Sequence, residues 1–147
     1  VWIQVEEREP LAVWKVNGQA FWVDREGQTM PMLAADAATA AGLAALPVIW
    51  DLDGSTVLDD NRLAPELIAS VRQVHEKAPE VTEFGYDRIK GLQFRFADGA
   101  YVSLGKPEGM AQRVASLLAL HQSLASQGQA PVEIDWRNSN GYYLRMP

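Results

Sequence analysis

The chain contains no cysteine, which removes several kinds of chemistry at once. Without thiols there is no disulfide framework, no thiolate nucleophile and no cysteine-ligated zinc site. No apolar run approaches the roughly 20 residues that a membrane-spanning helix needs. Basic residues are also few and scattered, since 13 Lys and Arg stand against 19 Asp and Glu, for a formal net charge of -6. This balance argues against a nucleic-acid-binding protein, which would need a basic surface.

What the chain does contain is enough for one hydrophobic core. Its 147 residues are 48% hydrophobic, and a chain of this length buries about two thirds of the surface that its unfolded form exposes. We therefore expect one domain. Val1 to Glu6 alternates like a strand that belongs inside a sheet, so we also expect a fragment of a neighbouring domain at the start.

Strands and tight turns dominate both ends of the sequence. Asn17-Gly18 separates Leu11 to Val16 from Gln19 to Asp24, and this pair best supplies the positive φ angles of a tight hairpin. Further along, Leu92 to Phe96 and Ala100 to Leu104 form a second predicted hairpin around an Asp-Gly turn. Alternate apolar residues of this second hairpin share one face, which predicts that it anchors the core.

Two stretches have apolar residues at helical spacing. The first lies near Arg62 to Lys77, with Asp60 or Asn61 placed to cap it, and the second spans roughly Glu108 to Ser126. The Ala-rich stretch Ala34 to Ala45 is interpreted as a surface loop or a weak helix. Together with the hairpins, these elements predict an α+β fold, in which a largely antiparallel sheet carries two amphipathic helices.

The closing stretch from Pro131 to Pro147 is the most informative part of the chain. Val132, Ile134 and Trp136 alternate with polar residues, as in a half-buried strand, and a second strand follows the predicted Asn140-Gly141 turn. Because the pattern ends with this second strand, we expect it to lie at a sheet edge. An unpaired edge can accept a strand from another protein.

One motif suggests an enzyme. VIWDLDGSTV, residues 48–57, resembles the nucleophile motif of the haloacid dehalogenase phosphatases, in which Asp51 would attack phosphorus and Asp53 would act as acid and base. That family has Thr or Val where this chain has Ser55. The strands after the first helix are joined by short turns, which favours antiparallel pairing over a parallel βαβ sheet. We therefore predict no catalytic residue, no metal site and no cofactor.

The five Trp residues suggest a second alternative, which is an extracytoplasmic domain that binds cell-wall glycan. Surface Trp rings could form a platform on which sugars stack. Trp14 and Trp22 flank one hairpin, however, where large aromatic side chains usually pack against cross-strand neighbours. A role in the core is therefore the more common outcome.

The order of elements resembles that of the FtsQ/DivIB family of bacterial cell-division proteins over nearly the whole chain. The matching segments are EEREPLAVW, VDREGQTM, LPVIW before a helix, LQFRFADGAYVSLG, MAQRVASLLAL and IDWRNSNGYYLR. The resemblance implies a membrane helix, then a POTRA domain, then a β domain outside the cytoplasm. On this basis residues 1–10 would be the last strand of a truncated POTRA domain and residues 11–147 the β domain.

The resemblance also implies a function in cell division. The protein would be a non-enzymatic divisome scaffold for septum formation, held in the inner membrane by a single-pass segment that this chain lacks. Its last strand would pair with a segment of FtsB (DivIC), in a complex that also contains FtsL, with no nucleic acid or small-molecule substrate. The residues implied to bind this partner lie on the last strand and on two turns: Tyr142, Tyr143, Leu144, Arg145, Arg137, Asn138 and Arg88.

Overall fold

The structure is a computed structural model, and it describes residues 1–5, 7–32, 45–54 and 62–147. In these ranges nine strands form one sheet and two helices pack on it. The strands are β1 (Ala12–Val16), β2 (Gln19–Val23), β3 (Thr29–Pro31), β4 (Val48–Asp51), β5 (Glu83–Asp87), β6 (Gly91–Arg95), β7 (Tyr101–Gly105), β8 (Glu133–Asn138) and β9 (Gly141–Arg145). The helices are α1 (Pro65–Lys77) and α2 (Met110–Ser126). The strand order is β3-β2-β1-β4-β5-β6-β7-β8-β9, and the predicted α+β class is confirmed.

The sheet is mostly antiparallel, but β4 is an exception. It lies parallel to both β1 and β5, and β8 lies parallel to β7. The strands that follow α1 pair in the antiparallel sense from β5 to β7, as expected, but β4 and β5 form a parallel βαβ unit, which we did not expect. The segment between β4 and β5, which contains α1, supplies the long crossover that two neighbouring parallel strands need. The short turns between the strands that follow did not indicate this parallel pair.

The first hairpin forms as predicted. Residues of β1 and β2 pair from Ala12 with Val23 to Val16 with Gln19. The two turn residues take positive φ angles, 49° at Asn17 and 77° at Gly18. Asn and Gly tolerate this conformation better than other residues, so the turn follows directly from the local sequence.

Both helices begin later than predicted. The first starts at Pro65, whose missing N–H costs nothing in the first turn, and Ala64 precedes it without a side-chain cap. The predicted caps Asp60 and Asn61 lie outside the described residues, as does Ala34 to Ala45 apart from Ala45 itself. The second helix starts at Met110, because Gly109 has a left-handed φ of 68° and stands outside the helix.

The core lies on one side of the sheet. Fully buried side chains from α1 and α2 pack against alternate strand residues, including Trp14, Ile49, Phe84, Leu92 and Ile134. The predicted shared face of the second hairpin is confirmed, since its apolar residues are all buried in this core. We call the covered side of the sheet the helix face and the opposite side the open face.

The strand predicted for Val1 to Glu6 is absent over the five of its residues that the structure describes. Residues 1–5 are in no strand and are exposed, while Glu6 lies outside the described residues. The assignment of residues 1–10 to a POTRA domain stays a prediction.

Candidate functional site

The strand β9 is one end of the sheet, as the sequence predicted. It pairs with β8 from Glu133 with Arg145 to Asn138 with Gly141. The two-residue loop is therefore Ser139-Asn140, one position earlier than the Asn140-Gly141 turn that we predicted. Gly141 is instead the first residue of the strand, with a φ of 150°.

The main chain of β9 presents unused hydrogen-bonding groups along its outer side. The Arg145 carbonyl accepts a hydrogen bond of 2.8 Å from the Val132 N–H, so Arg145 directs its main chain toward β8. Successive residues of a strand direct these groups to opposite sides. The N–H and C=O of Tyr142 and Leu144 therefore point away from β8, where the described part of the chain places no further strand.

The side chains of β9 divide between the two faces of the sheet. Tyr142 and Leu144 lie on the helix face, where the Tyr142 ring contacts Trp136 with centroids 4.6 Å apart. Tyr143 and Arg145 lie on the open face, and the Arg145 Nε is 3.1 Å from a Glu133 carboxylate oxygen. Tyr143 is 62% exposed. An added strand would therefore meet an apolar row on one face and a polar row on the other.

A cleft of about 620 Å³ opens at the hairpin end of β9. It lies between the β5–β6 turn, the loop that leads into α2, and the β8–β9 hairpin. Its lining residues are Ile89, Gly105, Lys106, Glu108, Arg113, Arg137, Asn138 and Ser139. The structure thus brings the predicted site residues Arg137 and Asn138 beside the residue that follows Arg88.

Arg137 is held in place by a neighbouring carboxylate. Its Nη2 lies 2.7 Å from Asp135, and its Nε bonds the same group. These hydrogen bonds outweigh burial and lower the pKa of Asp135. The guanidinium is therefore anchored and remains partly exposed at the rim of the cleft, where it can meet a further acceptor.

Arg88 lies in the β5–β6 turn with a largely exposed side chain. Its N–H donates to Asp53 over 3.1 Å, and its Nε is 3.4 Å from the same carboxylate. The Arg88 side chain is 69% exposed, and exposed pairs of this kind contribute little net energy. Arg88 can therefore exchange this contact for an acidic group of a partner, next to Ile89, which is 81% exposed.

The strand that carries Arg137 approaches β7 at a glycine. Gly105 has a φ of 78°, and a Cβ atom there would lie 2.8 Å from the Arg137 carbonyl oxygen. A side chain at this position would therefore push β8 away. The close approach holds the Arg137 main chain against β7 at the edge of the cleft.

A buried arginine that the sequence did not reveal as a functional residue also lines the cleft. Arg113 on α2 donates to the main-chain carbonyls of Leu104 at 2.9 Å and Glu108 at 2.8 Å, and also to that of Lys106. Burial lowers the pKa of this guanidinium. The only signal in the sequence was its position among the buried residues of α2, one place before Val114. Arg113 holds the loop that forms one wall of the cleft.

The Trp residues divide between the core and the surface. Trp14 is fully buried, while Trp22 and Trp136 are partly buried. Trp2 and Trp50 are exposed, and the Lys15 ammonium lies 4.6 Å from the centre of the Trp50 ring. The expected core role is confirmed for Trp14, and glycan binding through the exposed rings stays a prediction.

The two aspartates of the phosphatase-like motif make local contacts at the end of β4. Asp51 accepts a hydrogen bond of 3.0 Å from the Gly54 N–H, and Asp53 accepts one from Arg88. Within the described ranges, no three His, Cys, Asp or Glu side chains form a group that could hold a metal ion. These contacts fit a polar loop that positions the neighbouring turn.

These features define a class of protein: a one-sided α+β domain whose sheet ends in an unprotected strand beside a cleft. A family model described as "Cell division protein FtsQ/DivIB, C-terminal" matches residues 12–137. The chain therefore belongs to the FtsQ/DivIB family, which confirms the resemblance inferred from the sequence. No curated protein matches the chain. The family match ends at Arg137, so β9 lies beyond it.

Membership of this family gives the chain a role in cell division. The family consists of non-catalytic division scaffolds that are anchored in the membrane and carry an extracellular domain. In the described ranges, neither helix has the length and apolar content that crossing a membrane requires.

Proposed function

We propose that this domain is a non-enzymatic divisome scaffold that binds FtsB (DivIC) by strand addition to β9, in a complex that also contains FtsL. The domain would act outside the cytoplasm, on a protein anchored in the inner membrane by a single-pass segment. The observation that carries the proposal is the outward-facing main chain of Tyr142 and Leu144 at the end of the sheet.

Main-chain pairing alone would give only weak binding. Tyr142 and Leu144 offer two donors and two acceptors, and each hydrogen bond contributes about 1 kcal/mol net. The resulting total of about 4 kcal/mol corresponds to a Kd of about 1 mM. A useful affinity therefore requires side-chain contacts as well.

The cleft beside β9 supports such contacts. Arg137 and Asn138 line it, and Arg88 stands at the neighbouring turn with most of its side chain in solvent. We expect acidic side chains of the partner to meet the two arginines. Such charges at the rim mainly affect the association rate and its salt dependence. The affinity would therefore come chiefly from apolar contacts of the partner with Tyr142 and Leu144 on the helix face.

A pair of substitutions at one residue tests the strand addition. Leu144→Pro removes the outward N–H of β9, and the proline lies on the free side of an edge strand, where it is tolerated. Leu144→Ala keeps the N–H and shortens the side chain. We expect Leu144→Pro to abolish binding in a pull-down with the extracytoplasmic FtsB segment of the same organism, and Leu144→Ala to retain most of it.

The control is the thermal melt of each variant by circular dichroism. Both should unfold close to the native temperature, because Leu144 is only partly buried at the edge of the core. Equal binding by the proline and alanine variants, with both folded, would show that main-chain pairing at β9 is not how the partner binds.

A further inference from the structure

The two edges of the sheet differ in how well they are protected against pairing with a strand of another molecule. At the opposite edge, β3 has only three residues and ends in Pro31. The Met32 N–H bonds Ala20 on β2, so Pro31 faces away from the sheet and offers no N–H there. Proline and short length are devices by which proteins prevent edge-to-edge pairing. The strand β9 has five residues and no proline.

We propose that β9 is self-complementary, and that two copies of this chain pair β9 with β9 in antiparallel orientation when no partner strand is present. Only the outward-facing residues, Tyr142 and Leu144, can exchange hydrogen bonds across the new pair. Of the registers that meet this condition, one places Tyr142 of one copy opposite Leu144 of the other, and the reverse. Tyr143 lies on the two-fold axis and faces its own counterpart.

This register is the one that overlaps all five residues of β9. On the helix face it places the Tyr142 ring beside Leu144 of the second copy, and aromatic and aliphatic side chains pair favourably across strands. On the open face it places Arg145 opposite Gly141. No like charges meet, and each Arg145 keeps its ion pair with Glu133.

Self-pairing and partner binding would exclude each other, because both use the N–H and C=O groups of Tyr142 and Leu144. The pairing buries little more than one strand on each side, so the dimer should form only at high local concentration. Arrays of copies held on one membrane surface would meet this condition. Partner binding would then release the copies from each other.

Single cysteines test the register, since the native chain has none. Residues opposite each other at a position without hydrogen bonds have Cα atoms about 4.5 Å apart, which is within the roughly 4.4–6.8 Å that a disulfide spans. Tyr143→Cys should therefore form a disulfide-linked dimer under mild oxidation. Arg145→Cys is the matched control, because its counterpart lies four residue steps away along the strand, about 13 Å.

We expect a covalent dimer from Tyr143→Cys, none from Arg145→Cys, and loss of the dimer when Leu144→Pro is added to Tyr143→Cys. The native chain should also rise above its monomer mass of 16.2 kDa in sedimentation as its concentration increases. Equal cross-linking of both cysteine variants would overturn the inference. A native chain that stays monomeric up to about 1 mM would overturn it as well, since that limit corresponds to only about 4 kcal/mol.

The test of self-pairing can succeed or fail independently of the test of FtsB binding. A chain that binds the FtsB segment but stays monomeric refutes self-pairing alone. If the Tyr143→Cys variant forms the dimer but the native chain does not bind the FtsB segment, self-pairing is supported and the proposed partner is refuted.

Discussion

The substitution Gly105→Ala adds one methyl group and should test how the close approach of β7 to β8 positions the strand pair that carries the proposed binding site. Gly105 has a φ of 78°, and an added Cβ would lie 2.8 Å from the Arg137 carbonyl oxygen and 3.0 Å from its Cα atom. Both atoms belong to the main chain, so no side chain can rotate out of the way. Gly105→Ala must therefore either shift β8 or strain β7.

The expected cost has two parts. A left-handed φ costs a residue with a side chain about 1–2 kcal/mol, and the alanine returns about 0.4–1 kcal/mol through the smaller entropy of the unfolded chain. Overpacking against a fixed main chain adds about 1–3 kcal/mol. Gly105→Ala should therefore lower the free energy of unfolding by about 1–5 kcal/mol.

Gly18→Ala provides the matched control. Gly18 has nearly the same φ, 77°, but an added Cβ would have no atom within 4 Å. This variant carries the conformational cost without the contact, so its loss should be about 1 kcal/mol. Urea unfolding of both variants measures the difference. Equal losses would show that the approach of β7 to Arg137 is not as close as the structure indicates.

Two further perturbations concern buried or partly buried charges. Arg113→Met leaves the main-chain carbonyls of Leu104, Lys106 and Glu108 without this donor and should cost about 2–4 kcal/mol in urea unfolding. The exposed Gln112→Met on the same helix should change little, and equal stability of the two variants would contradict the role of Arg113. At Asp24, burial raises the pKa, but hydrogen bonds from Arg8 and from two main-chain N–H groups outweigh it, so the folded pKa lies below the ordinary value of 3.8. A group with a lowered folded pKa stabilises the fold above its unfolded value and loses that contribution as the pH falls through its folded pKa. The stability advantage of the native chain over Asp24→Asn should therefore shrink below pH 3.8, and a constant difference at all pH values would refute this.

Local patterns in the sequence were enough to predict most individual elements. The Asn17-Gly18 hairpin, both amphipathic helices and the terminal strand pair each follow from interactions between residues close in the chain. Within the described residues, the predicted edge position of β9 is also confirmed. These features depend on turn chemistry and side-chain period, which a single sequence displays directly.

Features that depend on distant residues were not predictable in the same way. The parallel pairing of β4 with β5 depends on the crossover through α1, and that of β4 with β1 joins strands that are distant in the chain, so no local pattern encodes either. The cleft joins three separate connections between elements, and Arg113 contributes to it from inside a helix. The charge of Arg113 within an apolar stripe of α2 was a visible signal that this side chain has a special role. Its hydrogen-bond acceptors are main-chain carbonyls, however, and the sequence does not identify them.

The strand β9 contributes little to the core, and this helps to explain its suitability for exchange. Of its residues, Leu144 is only partly buried and the others are exposed, whereas Ile134 on the adjacent β8 is fully buried. Regions with few buried apolar contacts open at a lower free energy than the whole domain. A strand added to β9 would restore a paired edge and would stabilise the hairpin by binding only its ordered form. The core up to β8 can therefore keep the fold, while β9 remains available for a partner or for a second copy.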